Sequence, residues 1–99
     1  MTFHERCYNI LKRVPRGKVT TYQSLAHILG SRAYRAVGSA MRKNPHAPIV
    51  PCHRVVKSDG GIGNYSGEGG VAQKILLLKK EGVIVTNGRV DLKKYELKF

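Results

Sequence analysis

The stretch that decides the fold reads Thr20-Thr21-Tyr22-Gln23-Ser24-Leu25-Ala26-His27-Ile28-Leu29-Gly30-Ser31-Arg32-Ala33-Tyr34-Arg35-Ala36-Val37-Gly38-Ser39-Ala40-Met41-Arg42-Lys43. Thr20 or Thr21 offers a hydroxyl cap to a helix carrying Leu25, Ala26, Ile28 and Leu29, and Gly30 stops it. Ser31 caps a second helix from about Arg32 to Lys43. Asn44-Pro45 ends that helix, because proline forces the residue before it out of the helical region. Two short helices joined by a tight glycine turn predict a helix-turn-helix, whose second helix is presented to DNA. That helix mixes Arg32, Arg35, Arg42 and Lys43 with small residues such as Ala36 and Gly38, so its backbone can approach another surface closely. A solvated basic face packed through Val37 and Met41 fits the same residues equally well.

Upstream, Thr2-Phe3-His4-Glu5 matches the capping box, and Phe3, Cys7, Ile10, Leu11 and Val14 recur at helical spacing until Pro15-Arg16-Gly17 ends the helix. Cys7 on that apolar stripe reads as a buried, inert thiol. Downstream, a last helix is predicted from Val71 to Glu81 with Ile75 and Leu78 inward and Gly82 as its stop. Val83–Thr86, Asn87-Gly88 and Arg89–Leu92 then predict a hairpin closed by the favoured Asn-Gly turn. The fold class is mainly α with a small β-hairpin, a winged helix-turn-helix-like DNA-binding domain. The 99 residues form one domain without repeats or linkers.

Composition narrows the partner. Eighteen Lys+Arg against six Asp+Glu give a formal charge of +12, which a polyanion relieves. Nucleic acid comes first. No apolar run approaches the roughly 18 residues of a spanning helix, and Met1–Glu5 lacks the blocks of a signal peptide, so a cytoplasmic protein is expected, nucleoid-associated in a prokaryote. Cys7 and Cys52 form no CxxC pair, and His4, His27, His46 and His53 lack metal-ligand spacing, so no metal, no cofactor and no disulfide are expected.

From Asn44 to Gly70 periodicity disappears, and so long a loop in a compact domain signals function. It holds Pro51-Cys52-His53-Arg54-Val55-Val56 and a glycine-rich run, Gly60 to Gly70, that lacks a phosphate-loop order. A cysteine attacks as thiolate and needs a base nearby. Neighbouring side chains diverge in a strand, so Cys52 and His53 can cooperate only in a bent loop or through water, with a carboxylate orienting the ring. On spacing alone, a protease-like Cys-His pair and a buried structural thiol also fit.

Pro51-Cys52-His53-Arg54-Val55-Val56 resembles the active-site signature of the O6-alkylguanine-DNA alkyltransferases, the methylated-DNA–protein-cysteine methyltransferases. Gly17-Lys18-Val19-Thr20-Thr21-Tyr22, Arg35-Ala36-Val37-Gly38, Asn44-Pro45, Asn64-Tyr65-Ser66-Gly67 and Glu81-Gly82 resemble that family's other landmarks, in its order. The similarity covers about residues 3 to 82 and is to the C-terminal catalytic domain. It implies a single-turnover repair transfer. Duplex DNA binds through its minor groove, the O6-alkylguanine flips into a pocket, and the cysteine takes the alkyl group irreversibly.

Carried over by matching position, the resemblance makes Cys52 the alkyl acceptor, His53 its base through a water, and Glu81 the carboxylate that orients His53. Tyr22 helps rotate the nucleotide and supplies a proton to the guanine ring, and Asn44 braces the active-site loop. Arg35 fills the space left by the flipped base, with Ala36, Gly38 and Arg42 also on the DNA face. Met41, the Val55 backbone, Tyr65, Ser66 and Gly67 line the guanine pocket. A monomer is expected.

The chain departs from the family pattern in three ways. It begins at the catalytic domain, without the N-terminal domain many members carry. An insertion is expected after Tyr65-Ser66-Gly67, at Glu68-Gly69-Gly70, and Tyr34 stands where the family pattern leads one to expect a small residue before Arg35. The rival reading is an alkyltransferase-like protein that binds alkylated lesions without transfer, usually with tryptophan for the cysteine; this chain has no tryptophan and retains Cys52. A plain winged-helix regulator leaves the Pro-Cys-His-Arg loop unexplained.

Overall fold

The computed structural model describes residues 2–30, 34–44, 49–63, 65 and 69–98. Helix α1 spans Phe3–Leu11 and opens on Thr2, whose hydroxyl accepts the Glu5 amide at 3.1 Å. It ends earlier than the sequence predicts. The Arg13 and Val14 amides reach back three residues to the Ile10 and Leu11 carbonyls, and this tightening stops the helix before Pro15 is reached. Val14 nevertheless lands in the core.

Strand β1, Thr20–Thr21, runs straight into α2, Tyr22–Ile28, for which Thr21 supplies the cap by accepting the Ser24 amide at 3.0 Å. Gly30 takes a left-handed φ of 69°, which glycine adopts without penalty, and turns the chain toward α3, Tyr34–Arg42. The predicted cap Ser31 and the start at Arg32 lie outside the described residues. The two helices stand as predicted for the helix-turn-helix, with α3 packed on both α1 and α2. Tyr8 ties α1 to α3 by donating its hydroxyl to the Ala40 carbonyl at 2.8 Å.

Residues 49–63 of the long loop carry regular structure that its composition does not suggest. A single 3₁₀ turn, Cys52–Arg54, leads into β2, Val55–Val56, which pairs in parallel with β1, Thr20 opposite Val55 and Thr21 opposite Val56. The register decides the site, because it sets the cysteine loop beside the start of α2. Helix α4, Gly70–Lys80, follows, and then a hairpin of β3, Val85–Thr86, and β4, Arg89–Val90. Asn87 and Gly88 both have positive φ, 52° and 72°, as the predicted Asn-Gly turn demands. Gly69 and Gly70 both take positive φ and form the entry to α4.

The helix at residues 71–81 is not the last, as the sequence reading had it. A further short helix, α5, Leu92–Tyr95, is capped by Asp91, whose carboxylate accepts the Lys93 amide at 3.0 Å. Leu92 therefore belongs to α5 and not to the hairpin. Val19 bonds on both sides to this C-terminal segment, donating to the Tyr95 carbonyl and accepting from the Leu97 amide.

Two apolar clusters result. One gathers Cys7, Leu11, Leu25, Val37, Ala40, Met41 and Val55 among α1 to α3. The other joins Val19, Val56, Ile62, Leu78, Val83, Val90 and Tyr95 beneath α4 and the hairpin. The β1–β2 pair runs along the seam, with Val55 in the first cluster and Val56 in the second. Among the described residues no helix is long and apolar enough to cross a membrane. Cys7 is fully buried and burial raises its thiol pKa, an environment that suppresses thiolate chemistry.

Candidate active site

A cavity of about 600 Å³ opens between the helix-turn-helix and the cysteine loop. Tyr22 comes from α2; Tyr34, Arg35, Gly38, Met41 and Arg42 come from α3. Cys52, Lys57, Gly63 and Tyr65 complete the wall. Predicted residues from four separate motifs thus meet around Cys52, a residue only 5% exposed.

The 3₁₀ turn answers the geometric question raised by adjacent Cys and His. The Cys52 amide donates to Val50 and the Arg54 amide to Pro51, so the backbone bends and the two neighbours diverge usefully. Cys52 borders the cavity, while His53, 1% exposed, turns inward. There His53 Nε2 lies 3.0 Å from Glu81 Oε2. Glu81 also accepts both prongs of Arg54, Nε at 2.9 Å and Nη2 at 2.7 Å, and Arg54 Nη1 donates to the Val14 carbonyl at 2.8 Å. A bidentate arginine fixes a carboxylate in plane and position.

The electrostatics follow. Burial pushes the Glu81 carboxyl up, but the bonds from Arg54 and His53 outweigh it and hold the group below its ordinary value. Burial lowers His53 below the usual imidazole value, against the opposing pull of Glu81. Glu81 is then an acceptor only and His53 is neutral, so Nε2 carries the proton that points at Glu81. The lone pair is left on Nδ1, a buried atom with no hydrogen-bond partner among the described residues. A neutral imidazole with its lone pair free beside a cysteine is a base. Tyr22 and Tyr65 are both raised, by burial first and by an ionised Cys52 second, so each keeps its phenol proton near neutral pH.

Not every predicted residue reaches the cavity. Asn44 stands behind it and braces the loop, donating Nδ2 to the Val50 carbonyl at 2.7 Å. Val55 is fully buried and is absent from the cavity wall, because its pairing with Thr20 sets it one layer inward. Ala36 is half-buried and also off the wall. Ser66, Gly67 and Glu68 lie outside the described residues. Tyr34 is 47% exposed and lines the cavity beside Arg35.

Sequence reasoning missed Arg54 and Lys74. The arginine's signal is its place beside Cys-His opposite a lone helix-terminal glutamate. Lys74 is fully buried, donating Nζ to the carbonyls of Val55, at 2.7 Å, and Ile62. Burial lowers its amine to about 8, against the opposing pull of an ionised Cys52. The cost of the buried charge is therefore present in full below about pH 8. It is relieved as pH rises toward the unfolded value of about 10.4, where the unfolded chain holds more protons. Urea unfolding of wild type and Lys74→Met at pH 7 and pH 9.5 checks this. The wild type is expected to gain stability relative to the variant at the higher pH, and a constant difference contradicts it.

The helix pair α2–α3 thus faces a buried cysteine across one cavity. Residues 2–83 match the family model described as 6-O-methylguanine DNA methyltransferase, DNA binding domain. The chain belongs to the O6-methylguanine DNA methyltransferase family. It is 52% identical over 77 residues to the rat methylated-DNA–protein-cysteine methyltransferase, covering 77% of this chain and 36% of that protein. The chain spans less than half the length of the curated relatives it matches. Among solved structures, Atl1 of S. pombe in complex with damaged DNA containing O6-carboxymethylguanine superposes with a TM-score of 0.87 at 30% identity, covering 98% of this chain and 95% of that one. The Mycobacterium tuberculosis protein OGT in complex with DNA gives 0.76 at 39% identity, covering 82% and 50%.

Proposed function

We propose that this chain is the catalytic and DNA-binding domain of an O6-alkylguanine-DNA alkyltransferase. It acts as a monomer in the cytoplasm, at the nucleoid in a prokaryote. The observation that carries this reading is Cys52 on the cavity wall with His53 behind it, clamped by Glu81.

Helix α3 enters the minor groove of duplex DNA, with Ala36 and Gly38 allowing close approach and Arg42 meeting the backbone. Arg35 occupies the gap left by the extruded guanine, which enters between Tyr22, Met41 and Tyr65. The thiol proton of Cys52 passes to His53 Nδ1, through a water. The sulfur attacks the alkyl carbon in line, the S–C bond forms and the C–O6 bond breaks. The electron pair returns to the guanine ring, which takes a proton from Tyr22, itself re-protonated from solvent. The thioether product has no route back to thiolate, so each molecule acts once. Ser66 and Gly67 belong to the pocket in this reading, as does the Val55 backbone from the layer behind.

A second reading is favoured by one observation, the near end-to-end likeness to Atl1. In it the chain captures alkylated duplex and leaves the lesion intact. Transfer of label from a duplex bearing one O6-[³H]methylguanine separates the two. One label per chain, absent in Cys52→Ala, supports transfer; preferential retention of the lesion duplex without label supports capture. Under either reading the exposed cations of α3 make binding electrostatic. Log K against log salt is expected to fall with a slope of roughly −0.9 per phosphate contact, and a flat titration contradicts the assigned DNA face.

A further inference from the structure

Lys74 has no place in the mechanism just given, yet it is among the most expensive side chains in the molecule. It sits on α4 one turn before Leu78, fully buried, where an aliphatic residue would satisfy the helix and the core. Its ammonium instead gathers three pieces of the site. Nζ donates to the carbonyl of Val55, three residues beyond Cys52. It donates also to the carbonyl of Ile62, which directly precedes the wall residues Gly63 and Tyr65. The ring of Tyr22 lies above it, 6.0 Å from nitrogen to centroid.

The main chain also joins these segments, the Lys57 amide donating to the Gly61 carbonyl and Thr21, next to Tyr22, pairing with Val56, and the ammonium adds a side-chain tie among all three. The Cys52 loop is held by β1 through main-chain pairing, and Ile62 is held by the hairpin, its amide donating to Gly88. Gly63 neighbours Tyr22, and an added Cβ there would reach ordinary van der Waals contact with the phenol oxygen, at 3.6 Å. A small drift of one segment would therefore change the distance between sulfur, pocket wall and phenol.

Resting on the alkyl-transfer reading, we propose that Lys74 is a positioning residue for transfer, its buried ammonium tying the Cys52 segment to the Ile62–Tyr65 wall and the Tyr22 ring beneath the cavity. It touches no substrate. Its effect lies in holding the reacting groups in register, where a displacement of about 1 Å costs up to roughly 100-fold in rate.

The test compares Lys74→Met, which keeps the bulk and removes the donors, with Lys74→Arg, which keeps charge and donors. Single-turnover transfer at saturating O6-methylguanine duplex is expected to slow about 10- to 100-fold in Lys74→Met. Lesion affinity stays within a few-fold, and amide exchange at Lys57 and Ile62 accelerates while α1 is unchanged. Lys74→Arg recovers most of the rate. Wild-type transfer by Lys74→Met overturns the proposal. So does a parallel loss of rate, affinity and thermal stability that arginine fails to rescue, or failure of both variants to fold, since the lysine is then scaffold alone. A wild-type chain that transfers nothing instead overturns the alkyl-transfer reading, and local amide exchange then decides the tether by itself.

Discussion

Glu81→Gln is expected to slow alkyl transfer to Cys52 by about 10²- to 10³-fold while leaving affinity for a lesion duplex within a few-fold. The carboxylate does three things that the amide cannot do together. It accepts from His53 Nε2, and so keeps the lone pair on Nδ1, the side from which a base can serve the cysteine. It balances the Arg54 guanidinium, whose two prongs occupy both its oxygens. Its negative charge also stabilises the imidazolium formed when His53 takes the thiol proton. Glutamine must set its NH₂ either against Arg54 Nε alone or against both His53 Nε2 and Arg54 Nη2, and each of these already presents a donor. At least one contact becomes a clash of hydrogens, and a part-buried guanidinium loses its counter-charge, at a stability cost of about 1–3 kcal/mol. Stopped-flow or quench kinetics at saturating DNA measure the effect. A rate within threefold of wild type would remove Glu81 from the relay.

Arg35→Ala is expected to act on the other half of the process. Arg35 is exposed near the start of α3, on the cavity rim, with Tyr34 beside it. Extruding a base costs a few kcal/mol of stacking and pairing, and a side chain that fills the gap offsets part of it. Loss of about 2 kcal/mol at this step corresponds to roughly 30-fold slower repair of duplex lesions. A free alkylated base bypasses extrusion, so its reaction with Cys52 is expected to remain at the wild-type rate. Equal slowing on duplex and free base would mean that Arg35 shapes the pocket instead of holding the duplex open. The two variants thus divide the account, one at chemistry and one at presentation of the base.

The parts of this fold that rest on local chemistry were legible. Thr2 and Thr21 cap α1 and α2, Gly30 turns the chain, and Asn87-Gly88 closes the hairpin, each for a reason visible in a few neighbouring residues. The β1–β2 pair was not legible, because two residues per strand carry no period and the partners stand 35 positions apart in register, Thr20 with Val55. Helix α5 escaped for a similar reason, being four residues long. In the site, the sequence named Cys52, His53, Glu81, Tyr22, Arg35 and Met41; Tyr22, Arg35, Met41 and Cys52 line one cavity, His53 meets Glu81 away from its wall, and Asn44 bonds to the loop at Val50. The helix-terminal glutamate even announced a partner by sitting at the wrong end of the helix dipole.

Lys74 was hidden by its neighbours. In Val71-Ala72-Gln73-Lys74-Ile75-Leu76-Leu77-Leu78 the apolar residues crowd three sides of the helix, so no clean stripe marks an inward face. A lysine there is assigned to solvent by default, while Leu76 is exposed in its stead. The reason for the inversion lies in two carbonyls that come from elsewhere in the chain, and a one-dimensional pattern does not contain them.

The claim at the centre is that the Cys52 sulfur keeps the alkyl group. Intact-mass measurement after incubation with a duplex carrying one O6-methylguanine tests it most directly, with Cys52→Ala as the control. The expected result is a gain of about one methylene mass on the wild type alone, at one group per chain, since S–H becomes S–CH₃. An unchanged mass in wild type still bound preferentially to the lesion duplex would contradict it and make the domain a sensor of damage.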